Sequence, residues 1–237
     1  MRRFAFLVPV ALALAVSGCA GMFDPFNSPD ARGTANDLKI IGIALHSYHD
    51  TNGRLPIHGI ARPAEPTKAL LSWRVAILPY IEQASLYQQF RHDEPWDSEN
   101  NKRLVPLMPK VFASRTKDAP EGHTYWQQLV GPGGVRPGSP WSFVRFTDGT
   151  SNTVAVAEAA EPVIWTKPAD VEVPKEFAPG ALKAKFAGQF KGGFFVLMWD
   201  GSVTVARDDA DETALKLLFC PDDGQINNND LWQRFGR

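Results

Sequence analysis

Two histidines and an acid, His46, His49 and Asp50, fall close together in the stretch LKIIGIALHSYHDTNGRLP, residues 38–56. On a helix, side chains three apart share a face and can hold one metal ion together. Zinc, however, asks for a third ligand and an oriented outer shell. The other histidines, His58, His92 and His123, stand at no recognisable ligand spacing. A donor or cationic side chain is favourable in the last turn of a helix for its own reasons, so capping and packing, without a metal, are the expectation here. The acidic run Asp93, Glu94, Asp97 and Glu99 offers oxygens that suit calcium. It lacks the ordered alternation and central glycine of an EF-hand loop, and Pro95 and Trp96 in its middle point to a packed surface turn.

Other chemistry is harder to assemble. Gly131-Pro132-Gly133-Gly134 is followed by no Lys-Ser/Thr pair and opens no helix, so it reads as a turn rather than a phosphate cradle. Ser151, inside Asp148-Gly149-Thr150-Ser151-Asn152, lacks the Gly-x-Ser-x-Gly elbow of a hydrolase, and side-chain-to-backbone turn bonds explain the segment. Nothing brings Glu82 and Glu158 together as paired carboxylates. Cys220, beside Pro221 after an apolar run, reads as buried and inert. Trp73, Trp96, Trp141, Trp165 and Trp199 are the remaining suggestive set, because indole faces bind sugars and other flat ligands. The candidate ligand site is therefore Trp73, Trp96 and Trp165 with a polar rim of Asp97, Asn100 and Glu158. The competing reading places most of these tryptophans in the core. With no complete nucleophile, acid–base pair or metal constellation, the expectation is a protein that is not an enzyme and needs no cofactor.

These residues need elements to position them. Leu38, Ile41, Leu45 and Tyr48 recur at spacings of three and four, the stripe of an amphipathic helix that Asn52-Gly53 should stop. SWRVAIL and YIEQASLYQQF read as two helical pieces, capped at Ser72 and divided at Pro79; a further short helix should be capped near Asp97 or Ser98. Beyond residue 120 the signals turn to strand: Trp141–Phe146, Thr153–Ala157, and two runs flanking Trp199-Asp200-Gly201, where Asp-Gly marks a hairpin. Asp211 and Glu212 open a last short helix through Phe219.

The chain has 237 residues, 44% apolar and 22% charged, with a net charge of −1, enough to bury one core and no electrostatic invitation to nucleic acid. Arg2 and Arg3 precede a thirteen-residue apolar stretch, Phe4 to Val16, too short to cross a bilayer comfortably; it reads as a secretory signal. Val16-Ser17-Gly18-Cys19 follows the pattern of a bacterial lipobox, in which the cysteine is lipidated and becomes the first mature residue. The expected organisation is a signal peptide over 1–18, a lipidated tether over 19–33 beginning at Cys19, and a globular body over 34–237. The membrane partner is then reached through acyl chains. Ala20 rather than Asp follows the cysteine, which favours the outer over the inner membrane.

NDLKIIGIALHSYHDTNGRLP, SWRVAILPYIEQASLYQQF, DEPWDSENNKRLVPLMPKVF, DGTSNTVAVAE, WTKPAD and DGSVTV, in that order, resemble the DUF1559 family of bacterial proteins. The resemblance implies a pseudopilin-like α+β fold, an N-terminal helix packed on an antiparallel sheet, and no stated activity. Three departures stand out. A lipoprotein signal replaces the prepilin leader. Two cysteines common in the family correspond to Thr34 and Ala113. The histidine that the family places ten residues before its Asp-Gly, here Asp200-Gly201, is Phe190. The combined expectation is an envelope lipoprotein with a binding or assembly role toward an envelope protein; the alternative is a solute or glycan binder.

Overall fold

The computed structural model of the protein describes residues 25–57, 59–222 and 224; Cys19, with the rest of the signal peptide and lipobox, lies outside them. Helix α1, Pro29–Asn52, is the longest element. Ser28 accepts from the Ala31 N–H at its start and Pro29 occupies the first turn, where a missing N–H costs nothing. It ends as the Asn-Gly pair suggests: Gly53 is left-handed, with φ 67°, and its N–H donates to the His49 carbonyl. The tether expected over 19–33 is therefore shorter than its composition implied. Pro25–Asn27 is a 3-10 turn and Pro29–Gly33 already belongs to α1, because a cap and a first-turn proline outweigh Gly and Asn nearby.

Strands β1 (Ile60–Ala61) and β2 (Ala69–Leu71) form a small ribbon that leads into α2 (Trp73–Ala76). Ser72 caps α2, donation coming from the Arg74 N–H. Pro79 then sits in a 3-10 turn, Leu78–Ile81, and Glu82 takes a left-handed backbone with φ 62° before α3 (Ala84–Tyr87). Helix α4, Glu99–Lys102, is capped by Ser98.

The main sheet has the order β5-β3-β4-β6-β7, built from β3 (His123–Val130), β4 (Val154–Ile164), β5 (Val171–Glu172), β6 (Gly193–Met198) and β7 (Val203–Arg207). All neighbours pair antiparallel except the short edge strand β5, which runs parallel to β3. The fold is thus α+β, with α1 laid on one face. Side chains alternate across β6, so Phe195 and Leu197 meet Leu38, Ile41 and Leu45 of α1 in one core cluster, while Phe194, Val196 and Met198 join the other. Helix α5, Glu212–Phe219, covers that second face with Leu215, Leu218 and Phe219. Each buried leucine or isoleucine of the α1 stripe is worth roughly 1.5–3 kcal/mol, which holds the helix in place more firmly than propensity does.

One expected strand is absent. Trp141–Phe146 forms no ladder; Phe143–Arg145 is a 3-10 turn and Trp141 is a core side chain whose indole N–H donates to the Arg136 carbonyl. Its apolar residues serve packing against Phe146 rather than strand pairing. The Asp-Gly hairpin forms as its sequence indicates, with Leu197 opposite Val203 and Gly201 left-handed at φ 84°. No described helix is long and apolar enough to cross a membrane.

Candidate functional site

The hairpin turn and the histidine stretch, 153 residues apart at His46 and Trp199, meet in space. Gly42 of α1 makes this possible: a Cβ there would stand 3.1 Å from Leu197 Cδ1 and 3.4 Å from Gly201 Cα, so a bare backbone lets the turn approach. His46 Nε2 then donates to the Trp199 carbonyl across 2.8 Å. Phe143 packs on both imidazoles, its ring centroid 4.5 Å from His46 and 4.4 Å from His49. His49 Nδ1 lies 3.5 Å from Asp50 Oδ1. One histidine is thus committed to a backbone carbonyl and both to an aromatic contact, which explains their types as joinery between α1 and the hairpin.

Between these elements lies an open groove of about 420 Å³, walled by Lys39, Ile43, His46, Ser47 and Asp50 of α1 and by Asp200 with Gly201. Asp200 itself is occupied in the turn, accepting from the Ser202 N–H at 2.8 Å. Beside the groove two isoleucines of α1 face solvent, Ile40 at 44% and Ile43 at 66% exposure. The opposite stripe of the same helix is fully buried, so these two stand outside the packing that the sheet requires.

The tryptophan and acid set does not converge. Trp73 and Trp165 are fully buried, their indole N–H groups donating to Asp170 Oδ1 at 3.0 Å and the Val105 carbonyl at 2.8 Å. Neither face is open to a sugar. Glu158 is buried in β4 opposite Trp126 and forms no rim. Trp96 is half-buried, with Lys167 Nζ 5.5 Å from its ring; Asp97 is exposed and Asn100 Nδ2 donates to the Gln89 carbonyl. The expected cleft is corrected on this point: Trp73 and Trp165, like Trp141, are core side chains, each large apolar ring having its one donor satisfied by a single internal acceptor.

Three buried polar centres have roles that the sequence did not indicate. Asn101, fully buried, takes the place an ion was considered for in the acidic loop: its side chain accepts from the Arg91 N–H and donates to the carbonyls of Arg91, Glu94 and Pro95. Arg74 and Asp170 form an ion pair at 3.1 Å with both side chains wholly buried. Asp170 Oδ1 also accepts from Trp73 and the Gln128 N–H, while Arg74 Nε donates to the Trp126 carbonyl. Burial pulls the Arg74 guanidinium down, and Asp170 opposes that pull. The third is Glu158. Burial pushes its carboxyl up to about 7, against the counter-pull of the Phe195 N–H, Lys117 and Gln189. Gln189 in turn accepts from Ser114 and the Arg115 N–H, and Arg115 Nε reaches Asp37 on α1 at 2.7 Å. The local signal that Glu158 is buried rather than on a rim is the apolar run Val154–Ala159 that this single acid interrupts.

Among the described residues no group of three or more His, Cys, Asp or Glu side chains is arranged to hold a metal. A family model described as a protein of unknown function, DUF1559, matches residues 34–114, a segment running from α1 to just beyond Phe112. No curated protein and no solved structure matches the chain.

Proposed function

From the premise that the chain belongs to the DUF1559 family, we propose that it is an envelope lipoprotein whose pseudopilin-like body has a non-enzymatic binding or assembly role. The anchor is Cys19, set behind its lipobox, and the body faces the periplasm or the cell surface, with the outer membrane favoured by Ala20. One observation carries the assembly part. Ile40 and Ile43 are exposed on the very helix whose other stripe is sealed against the sheet, and the groove beside Ile43 gives a partner side chain somewhere to lodge.

Two measurements test this reading. Cys19→Ser releases the protein from the membrane fraction; unchanged fractionation overturns the lipid anchor. A photo-crosslinking residue placed at Ile43 in intact cells gives a discrete adduct, whereas the same residue at exposed Val144 does not. Equal labelling from both positions, or from neither, overturns the role assigned to α1.

A further inference from the structure

A second hollow, of about 350 Å³, lies at the far end of α1, where the chain leaves Gly53 and folds against the loop carrying Gly138. Its wall includes Tyr48, Arg54, Arg62, Pro56, Pro63 and Pro140. The described lining contains two guanidinium groups and no carboxylate. Among the described residues neither Arg54 nor Arg62 forms an ion pair, unlike Arg74, Arg91, Arg103, Arg115, Arg136 and Arg207. Two arginines without a carboxylate partner facing one hollow make a region of positive potential suited to a carboxylate, which the planar guanidinium fork can grip through paired N–H groups.

The hollow is also built to keep its shape. Proline fixes φ in several wall residues, which removes much of the freedom a loop would otherwise lose on binding. Gly138, at φ 79°, comes so near Thr67 that a Cβ would stand 2.4 Å from its Cγ2, and the Leu55 N–H donates to the Trp141 carbonyl at 2.7 Å. These contacts tie one wall to the other. Arg62 Nη2 donates to the Asp93 carbonyl at 2.8 Å, which aims the side chain while leaving its remaining N–H groups for a ligand. Arg54 stands beside the Tyr48 hydroxyl. Burial pushes the Tyr48 phenol up against the pull of Arg54, so at neutral pH the hydroxyl is a donor.

We propose that this hollow binds a small organic carboxylate carrying a ring, with Arg54 and Arg62 taking the carboxylate and Tyr48 and the prolines covering the ring. Its volume falls in the range of small-molecule sites, of order 300–1,000 Å³, and admits one ring rather than a polymer. A compact inorganic anion satisfies the arginines but leaves the proline and tyrosine wall uncovered, so it is the weaker match. The site is independent of the α1 face: it neither contains Ile43 nor depends on the lipid anchor.

Calorimetric titration of the purified full-length protein tests it, with benzoate and D-galacturonate as probes, and benzamide, D-galactose and inorganic phosphate as comparisons. Saturable binding of benzoate marks an aromatic acid, and of galacturonate a sugar acid; either supports the proposal when the matching neutral compound binds at least tenfold more weakly. Arg62→Gln should weaken that binding at least tenfold with the thermal midpoint unchanged, whereas Tyr48→Phe, which keeps the covering ring, should leave most of it. Three outcomes overturn the proposal: neither carboxylate saturates, phosphate binds as tightly as they do, or Arg62→Gln leaves affinity intact.

Discussion

Glu158 shows how much one side chain's surroundings can cost. Its carboxyl is held near 7 by burial, above the ordinary glutamate value of 4.5. The folded protein therefore holds this proton more tightly than the unfolded chain does. The stability linked to it is fully present below about pH 4.5 and is lost as pH rises toward 7, by roughly 3 kcal/mol across the interval. Glu158→Gln should flatten that part of the pH–stability profile and raise the denaturation midpoint at pH 8; an unchanged profile would show that the carboxylate is solvated after all. The Arg74–Asp170 pair behaves oppositely, since each charge is compensated by the other and by the Trp73, Gln128 and Trp126 groups around them. Asp170→Ala leaves a buried guanidinium without its counter-charge and should cost about 3–5 kcal/mol in urea denaturation. A loss under 1 kcal/mol would mean that Arg74 finds water or another acceptor.

At the level of elements, the missing side chains of two glycines govern what can touch. Gly42 permits the β6–β7 turn to lie against α1, and Gly59 permits the turn before the β1–β2 ribbon. Gly59 sits at φ 113°, and a Cβ there would come within 2.0 Å of the Leu71 carbonyl oxygen. Gly59→Ala should therefore destabilise by at least about 2 kcal/mol, read as a lower midpoint at unchanged slope in urea. If the midpoint does not move, the ribbon is not part of the cooperative unit. Caps were the most legible elements: Ser72, Ser98, Asp211 and the Asn52-Gly53 stop stand where helix-boundary chemistry puts them. Trp141–Phe146 misled because apolar and aromatic residues in a short run look alike whether they pair as a strand or pack as a turn.

Across the whole molecule, α1 is clamped at two points along its length, by His46 on the hairpin and by Asp37 on Arg115. A Cβ at Gly33 would meet the Arg115 guanidinium at 2.6 Å, so the start of α1 and the segment after Phe112 are close neighbours. Cysteines at Thr34 and Ala113, the positions that hold them in many family members, should then bridge. The Thr34→Cys, Ala113→Cys variant should melt higher when oxidised than when reduced, by an amount equivalent to about 2–4 kcal/mol, and equal melting would show that the two positions do not meet. The sequence by itself determined the α1 stripe and its stop, the caps, the Asp-Gly hairpin and the resemblance to the DUF1559 family, because those signals are local periodicities, turn chemistry and short motifs carried in a few consecutive residues. Only the tertiary structure decided that Trp73, Trp126, Trp141, Trp165 and Trp199 are core, that Glu158 and the Arg74–Asp170 pair are buried, and that the distant loop carrying Gly138 closes a hollow around Tyr48, Arg54 and Arg62. Burial and charge pairing depend on residues far apart in the chain, and no window along it contains them.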